Sequence, residues 1–187
     1  MGLFYCFWMS DKPLVQQQLA NELGSLQLLL QDDNVIPFVS MFWKIHCAEW
    51  YGLDRIRTDK YLLLFRRQIF YSFAWLATHQ WDQEKIEAYT TCLLQGPLHP
   101  TDRSKPDGIK FHILDIYLDE LNKVIEQQQE GMDDDDELAV PMGQLLRPIH
   151  VLCTDDVNKI TRRRCKQIIK NYEQEMEQED EEDEDEE

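Results

Sequence analysis

Apolar residues recur at steps of three and four along most of the 187-residue chain, and no convincing alternating pattern appears. The densest stretch runs from Phe42 to Trp81. Phe38, Val39, Phe42, Trp43, His46, Cys47 and Trp50 share one helical face. Gly52 is expected to close that helix, in the left-handed turn that glycine enters without steric cost. From about Arg57 to His79 there is neither Gly nor Pro. A single helix of roughly 34 Å is expected there, apolar most of the way round and covered on more than one side.

The remaining elements follow the same logic. Leu3 to Met9 reads as the last turns of a helix whose Leu3, Phe4, Phe7 and Trp8 need cover. Ser10-Asp11-Lys12-Pro13 opens a helix buried through Val15, Leu19, Leu23, Leu26 and Leu30, and Pro37 opens the next. Asp82 caps a helix that turns Ile86, Tyr89, Leu93 and Leu94 inward before Gly96-Pro97 stops it. The three-proline loop PLHPTDRSKPDG precedes a helix from about Ile109 to Gln128, buried through Ile109, Ile113, Ile116, Tyr117, Leu121, Val124 and Ile125. Leu145 to Leu152 is a short helix. Thr154 or Asp155 caps the last one, which carries Val157, Ile160, Cys165, Ile168, Ile169 and Tyr172.

The fold class is therefore all-α, with about seven helices. Helix pairs recur loosely every ~35–45 residues, the scale of HEAT or armadillo units, with an irregular bundle as the alternative. Residues 1–128 form the expected helical core and 129–140 an acidic linker. A carboxy-terminal helical unit with a basic face follows at 141–172, then an acidic tail at 173–187 that is expected to be disordered.

Charge sharpens this division. Twelve of the acidic residues lie from Glu173 onward, where no basic residue occurs; the rest of the chain holds 19 basic and 24 acidic residues. The body is only mildly acidic, and nothing in it suggests a generic nucleic-acid field. The five cysteines are widely spaced without a CxxC pair, which speaks against zinc and disulfides and for a reducing compartment. The opening MGLFYCFWM is too short to span a membrane and makes a poor signal peptide.

Little in the chain suggests catalysis. The five histidines are scattered, and His46 and His112 sit on apolar faces that suit hydrogen-bonded core residues. GxSxG, HExxH, phosphate-loop and dinucleotide fingerprints are missing, so no cofactor, metal or small-molecule substrate is called for. Two charged groups stand out instead. At the joint after Gly52, Asp54, Arg55, Arg57, Asp59 and Lys60 either fix the corner between two helices or dock a partner, with fixing slightly favoured. Near the end, Lys159, Arg162, Arg163, Arg164, Lys166 and Lys170 form an acid-free run. That run suits RNA contact, nuclear import or a solvated face paired with the acidic tail.

Three segments carry a resemblance to a known family: GLFYCFWMSDKPLVQQQLANELG, the FW…EWYGLDRIRTDKYLLLFRR run, and LHP…PDGIKFHILDIYLDEL. The chain resembles the ribosomal RNA-processing protein 1 family, the nucleolar Nop52-like proteins, over about residues 2–125. Beyond the acidic linker the likeness is vaguer. The resemblance implies a helical-repeat-like, non-enzymatic factor of the nucleus and nucleolus, acting in pre-rRNA processing and large-subunit maturation. Its implied partners are proteins of the pre-ribosomal particle, with pre-rRNA as a second candidate and no membrane. The chain starts where the family has a further helical segment ahead, and it ends in acid where many members carry a basic extension. A shortened or divergent member is implied. The competing expectations are a helical adaptor for a basic protein outside ribosome assembly and, more weakly, a hydrolase or transferase with a dispersed site.

Overall fold

The computed structural model describes residues 1–131, 138–154 and 157–185, with side chains to residue 178. Among these residues every regular element is helical: α1 (Gly2–Trp8), α2 (Pro13–Ser25), α3 (Asp32–Glu49), α4 (Arg55–Thr78), α5 (Gln83–Gln95), α6 (Asp107–Gln129), α7 (Met142–Leu145), α8 (Arg147–Val151) and α9 (Lys159–Asp185). The expected all-α class is what forms.

The long helix α4 is the axis of the molecule. α2 packs along one flank and α6 along another. Tyr61, Leu64, Phe65, Ile69, Phe73 and Leu76 are buried between its neighbours, as a helix apolar on several sides requires. Asp54 starts α4 as an N-cap, its carboxylate accepting from the Arg57 backbone N–H at 2.9 Å. α7 and α8 pack on α5, and α9 packs on α6 and α8. Tyr117 donates its hydroxyl hydrogen to the Leu145 carbonyl at 2.7 Å, tying this last part to the common core.

The α2–α4 contact differs from the pattern expected. Val15 is exposed, and the buried positions of this region are Ala20, Leu23, Gly24 and Gln27. The reason is close approach. A Cβ on Gly24 would lie 2.7 Å from Tyr71 Cδ2 and 3.0 Å from the Arg67 carbonyl oxygen. Small residues let the two backbones meet, and polar groups then bridge them. Gln27 donates to the Gln68 carbonyl at 3.1 Å and accepts from the Ser72 hydroxyl at 2.7 Å.

Helix ends supply further corrections. α3 begins at Asp32, with Pro37 inside it, because Asp32 and Asp33 suit a first turn. α3 gives way to a short 3-10 turn over Trp50–Gly52, and Gly52 has no positive φ. Leu53, at φ −72° and ψ 130°, makes the break instead. The left-handed residues are Gln80 (φ 54°) and Trp81 (φ 56°), after α4. Trp81 is held there by burial and by its indole N–H, 2.9 Å from Gln128 Oε1. α9 is capped by Asn158, whose side chain accepts from the Ile160 N–H at 2.8 Å, and not by Thr154; Asp155 lies outside the described residues. Ile160 is exposed, and Thr161 takes the buried position expected of it.

α9 does not stop at Tyr172. Its backbone stays helical to Asp185 through the stretch expected to be disordered, because Glu and Gln are good helix formers. Residues 173 to 178 are exposed on it. The middle of the expected linker, residues 132–137, lies outside the described residues.

Candidate functional site

The charged joint is tied to α1. Lys60 is buried and donates to two backbone carbonyls, Trp8 O at 2.7 Å and Ser10 O at 2.8 Å. A cation at the carboxy-terminal end of α1 satisfies carbonyls that have no partner within that helix. Burial, aided by the nearby Arg57, lowers the Lys60 pKa. The Arg57 guanidinium lies 4.5 Å over the Trp8 ring and pairs with Asp54. Burial pushes the Asp54 carboxyl upward, but hydrogen bonds from Arg57 outweigh it and hold the pKa below the usual range. Arg55 and Asp59 are exposed and pair with nothing among the described residues. The five-residue group is thus divided: Asp54, Arg57 and Lys60 converge on α1, while Arg55 and Asp59 face solvent.

Beneath this joint lies an aromatic cluster. Phe4 and Phe7 are buried, covered by Tyr61, and Phe4 also meets His46. The Tyr61 hydroxyl donates to the Phe4 carbonyl at 3.0 Å. Of the amino-terminal residues that need cover, Phe4 and Phe7 receive it internally, whereas Leu3 stays exposed. His46 Nδ1 lies 2.7 Å from the Phe42 carbonyl, so that nitrogen carries the hydrogen; its Nε2 is buried without a partner. Burial lowers the His46 pKa to about 4, so the ring is neutral at ordinary pH.

The basic run of α9 is divided in a similar way. Arg164 pairs with Asp115 and lies 4.8 Å over the Phe111 ring, which fastens α9 to α6. Arg162 is half-buried. Lys159, Arg163, Lys166 and Lys170 are exposed. Their spacing of four, three and four places these four cations on one stripe. They occupy the amino-terminal half of α9, and acid follows, an order opposite to the one the helix dipole favours. The stripe therefore adds nothing to helix stability. On α4, Arg66 is taken up by α6, reaching Glu120 at 2.5 Å and Asp119 at 3.7 Å.

Chemistry is sparse elsewhere. Burial raises the thiols of Cys47 and Cys92 to about 11 and that of Cys165 to about 12, so all three are protonated near neutrality. Among the described residues no three His, Cys, Asp or Glu side chains gather as metal ligands, and no helix is long and apolar enough to cross a membrane. One place escaped sequence reasoning. Trp50, Tyr51, Arg103, Lys105 and Lys110 line a common cleft of about 730 Å³. The available signal was a loop rich in proline and in both charges, but its aromatic wall lies some fifty residues away in the chain.

Comparison with known proteins decides the family. The model of the family described as nucleolar protein, Nop52, matches residues 1–187. The chain belongs to this family. Ribosomal RNA processing protein 1 homolog B of Homo sapiens is 40% identical over 124 residues, covering 66% of this chain and 16% of the human protein. The Drosophila melanogaster homolog is 33% identical over 124 residues, covering 65% of this chain and 18% of its own length. The Dictyostelium discoideum homolog is 25% identical over 186 residues, covering 89% of this chain and 36% of its own length. The chain thus spans well under half the length of these relatives.

Proposed function

We propose that this chain is a non-enzymatic scaffold of ribosome biogenesis, working in pre-rRNA processing and large-subunit maturation within nucleolar pre-ribosomal particles. The match to the nucleolar Nop52 family along the whole chain carries the reading. The names of its relatives, ribosomal RNA processing proteins, point the same way. The physical character of the molecule agrees: its buried thiols are held protonated, and exposed charge is plentiful on its surface. Docking falls to the exposed Arg55 and Asp59 and to the stripe of Lys159, Arg163, Lys166 and Lys170. Sedimentation of the tagged chain with pre-ribosomal particles is the test; migration with free protein alone overturns the reading.

The exposed acid that follows Tyr172 favours a second reading, an adaptor for a basic protein outside ribosome assembly. Purification of the tagged chain with such a protein, free of pre-rRNA, would establish it in place of the first.

A further inference from the structure

The cleft between the end of α3 and the start of α6 holds a buried cation with unused capacity. Lys110 is 4% exposed and donates to the His99 carbonyl at 2.9 Å. No carboxylate lies within ion-pair distance of it among the described residues, and an ammonium group has three hydrogens to give. The wall around it is built rather than loose. His99 Nδ1 accepts from the backbone N–H groups of Asp102 and Thr101 at 3.0 and 3.3 Å, and Asp102 in turn accepts from the Ser104 N–H at 2.8 Å. Trp50 lies against the backbone of Gly108, where an added Cβ would fall 2.8 Å from the indole. Tyr51 beside it is 75% exposed, and Arg103 is exposed on the same cleft.

We infer that this cleft binds single-stranded RNA, one base stacking on Tyr51 while a backbone phosphate reaches Lys110 with Arg103 beside it. The inference rests on the reading that the chain acts on pre-rRNA. An exposed ring next to cations is the arrangement that single strands use, since every base has a face and every nucleotide a charge. An acidic peptide would satisfy the ammonium but leave the ring in water. A basic peptide is repelled by Arg103, Lys105 and Lys110. Duplex RNA keeps its base faces stacked. Asp102 and Asp107 also line the cleft; Asp102 is engaged by Ser104 and Lys105, and Asp107 sits in the first turn of α6.

The test uses the full chain and a labelled twelve-nucleotide oligouridine, with a decamer of glutamate as competitor. Tyr51→Ala should weaken binding about tenfold, and Tyr51→Phe should retain it. Arg103→Glu should weaken binding and reduce the slope of log affinity against log salt by about 0.7 per lost phosphate contact. Both positions are exposed, so folding is not at issue; Lys110→Met serves as a third variant, with its circular dichroism recorded. Equal binding by wild type and Tyr51→Ala overturns the inference, as does competition by the glutamate decamer at the concentration of RNA. Failure of wild type to bind RNA while it sediments with pre-ribosomal particles overturns the cleft and spares the functional reading. Absence of wild type from those particles overturns the reading, and the binding assay then decides the cleft alone.

Discussion

Lys60 and Lys110 form a natural pair. Each is a buried lysine near the start of a long helix, where the dipole disfavours a cation, and each has its pKa lowered mainly by burial. Their surroundings then diverge. Lys60 is closed in by two carbonyls of the α1 region, whereas Lys110 has one carbonyl and a cleft. The same residue type at the same degree of burial thus serves as a clamp in one place and stands open in the other. What separates them is the count of acceptors.

This difference has a direct consequence for stability. Lys60→Met removes two charge-assisted hydrogen bonds and strands the Trp8 carbonyl, the Ser10 carbonyl keeping the Gln16 amide at 2.9 Å, at a cost of about 2–4 kcal/mol. For a chain of this size that corresponds to a fall in melting temperature of roughly 5–15 °C. Lys110→Met removes one such bond and should cost about half as much or less. Equal losses in urea or thermal melts of the two variants would break the comparison.

The clamp region should also respond to acid, through a group beneath it. His46 is neutral in the fold, with a pKa lowered to about 4 by burial. An unfolded histidine titrates near 6.5, so the unfolded chain takes up the proton first. Stability is complete above pH ~6.5 and is lost as pH falls toward 4, by up to about 3 kcal/mol from this group. His112, also lowered chiefly by burial, adds in the same direction. Replacing His46 by Gln should flatten the fall between pH 6.5 and 5. An unchanged slope would show that His46 is not the group responsible.

Much of the clamp could be read from the sequence. The length of α4 and the buried face of α6 follow from local patterns, while the choice between Asp54 and Asp59 as the cap of α4 does not. The sequence does not show that Lys60 reaches back some fifty residues to close α1, because nothing local marks its partners. The α2 face departs from its periodicity for a related reason. Periodicity favours the large apolar Val15, while the contact selects Ala20 and Gly24 for their lack of bulk. Gln80 and Trp81 hold a conformation that neither residue prefers, imposed by where the Trp81 ring is buried. The cleft is the extreme case, assembled from an aromatic pair and a distant loop.

Glycine substitutions probe both regions at smaller magnitude. Gly24→Ala pushes against backbone as well as Tyr71 and should cost about 1–3 kcal/mol. The nearest atoms to a Cβ on Gly108 all belong to the Trp50 side chain and none to backbone, so Gly108→Ala should cost less. It should nonetheless shift tryptophan fluorescence, because it displaces the wall of the cleft. A larger loss of stability from Gly108→Ala than from Gly24→Ala would show that the cleft wall is as rigid as the α2–α4 contact.

The smallest effect on folding should come from removing residues 173–187. The described side chains of this stretch are exposed, including Met176 at 41%, so deletion strips little apolar surface from the body. A change in melting temperature of less than about 2 °C is expected, well under 1 kcal/mol. Binding should behave differently. Glu173 lies roughly 21 Å along α9 from Lys159, whose end of the helix borders the cleft, and the Debye length at physiological salt is about 8 Å. Removing the twelve carboxylates should therefore strengthen oligouridine binding at low salt and leave it nearly unchanged at physiological salt. The deletion therefore acts on the open cation and leaves the closed one untouched. A marked fall in melting temperature would instead place the acidic stretch against the body, with the stripe of Lys159, Arg163, Lys166 and Lys170 as the surface it covers.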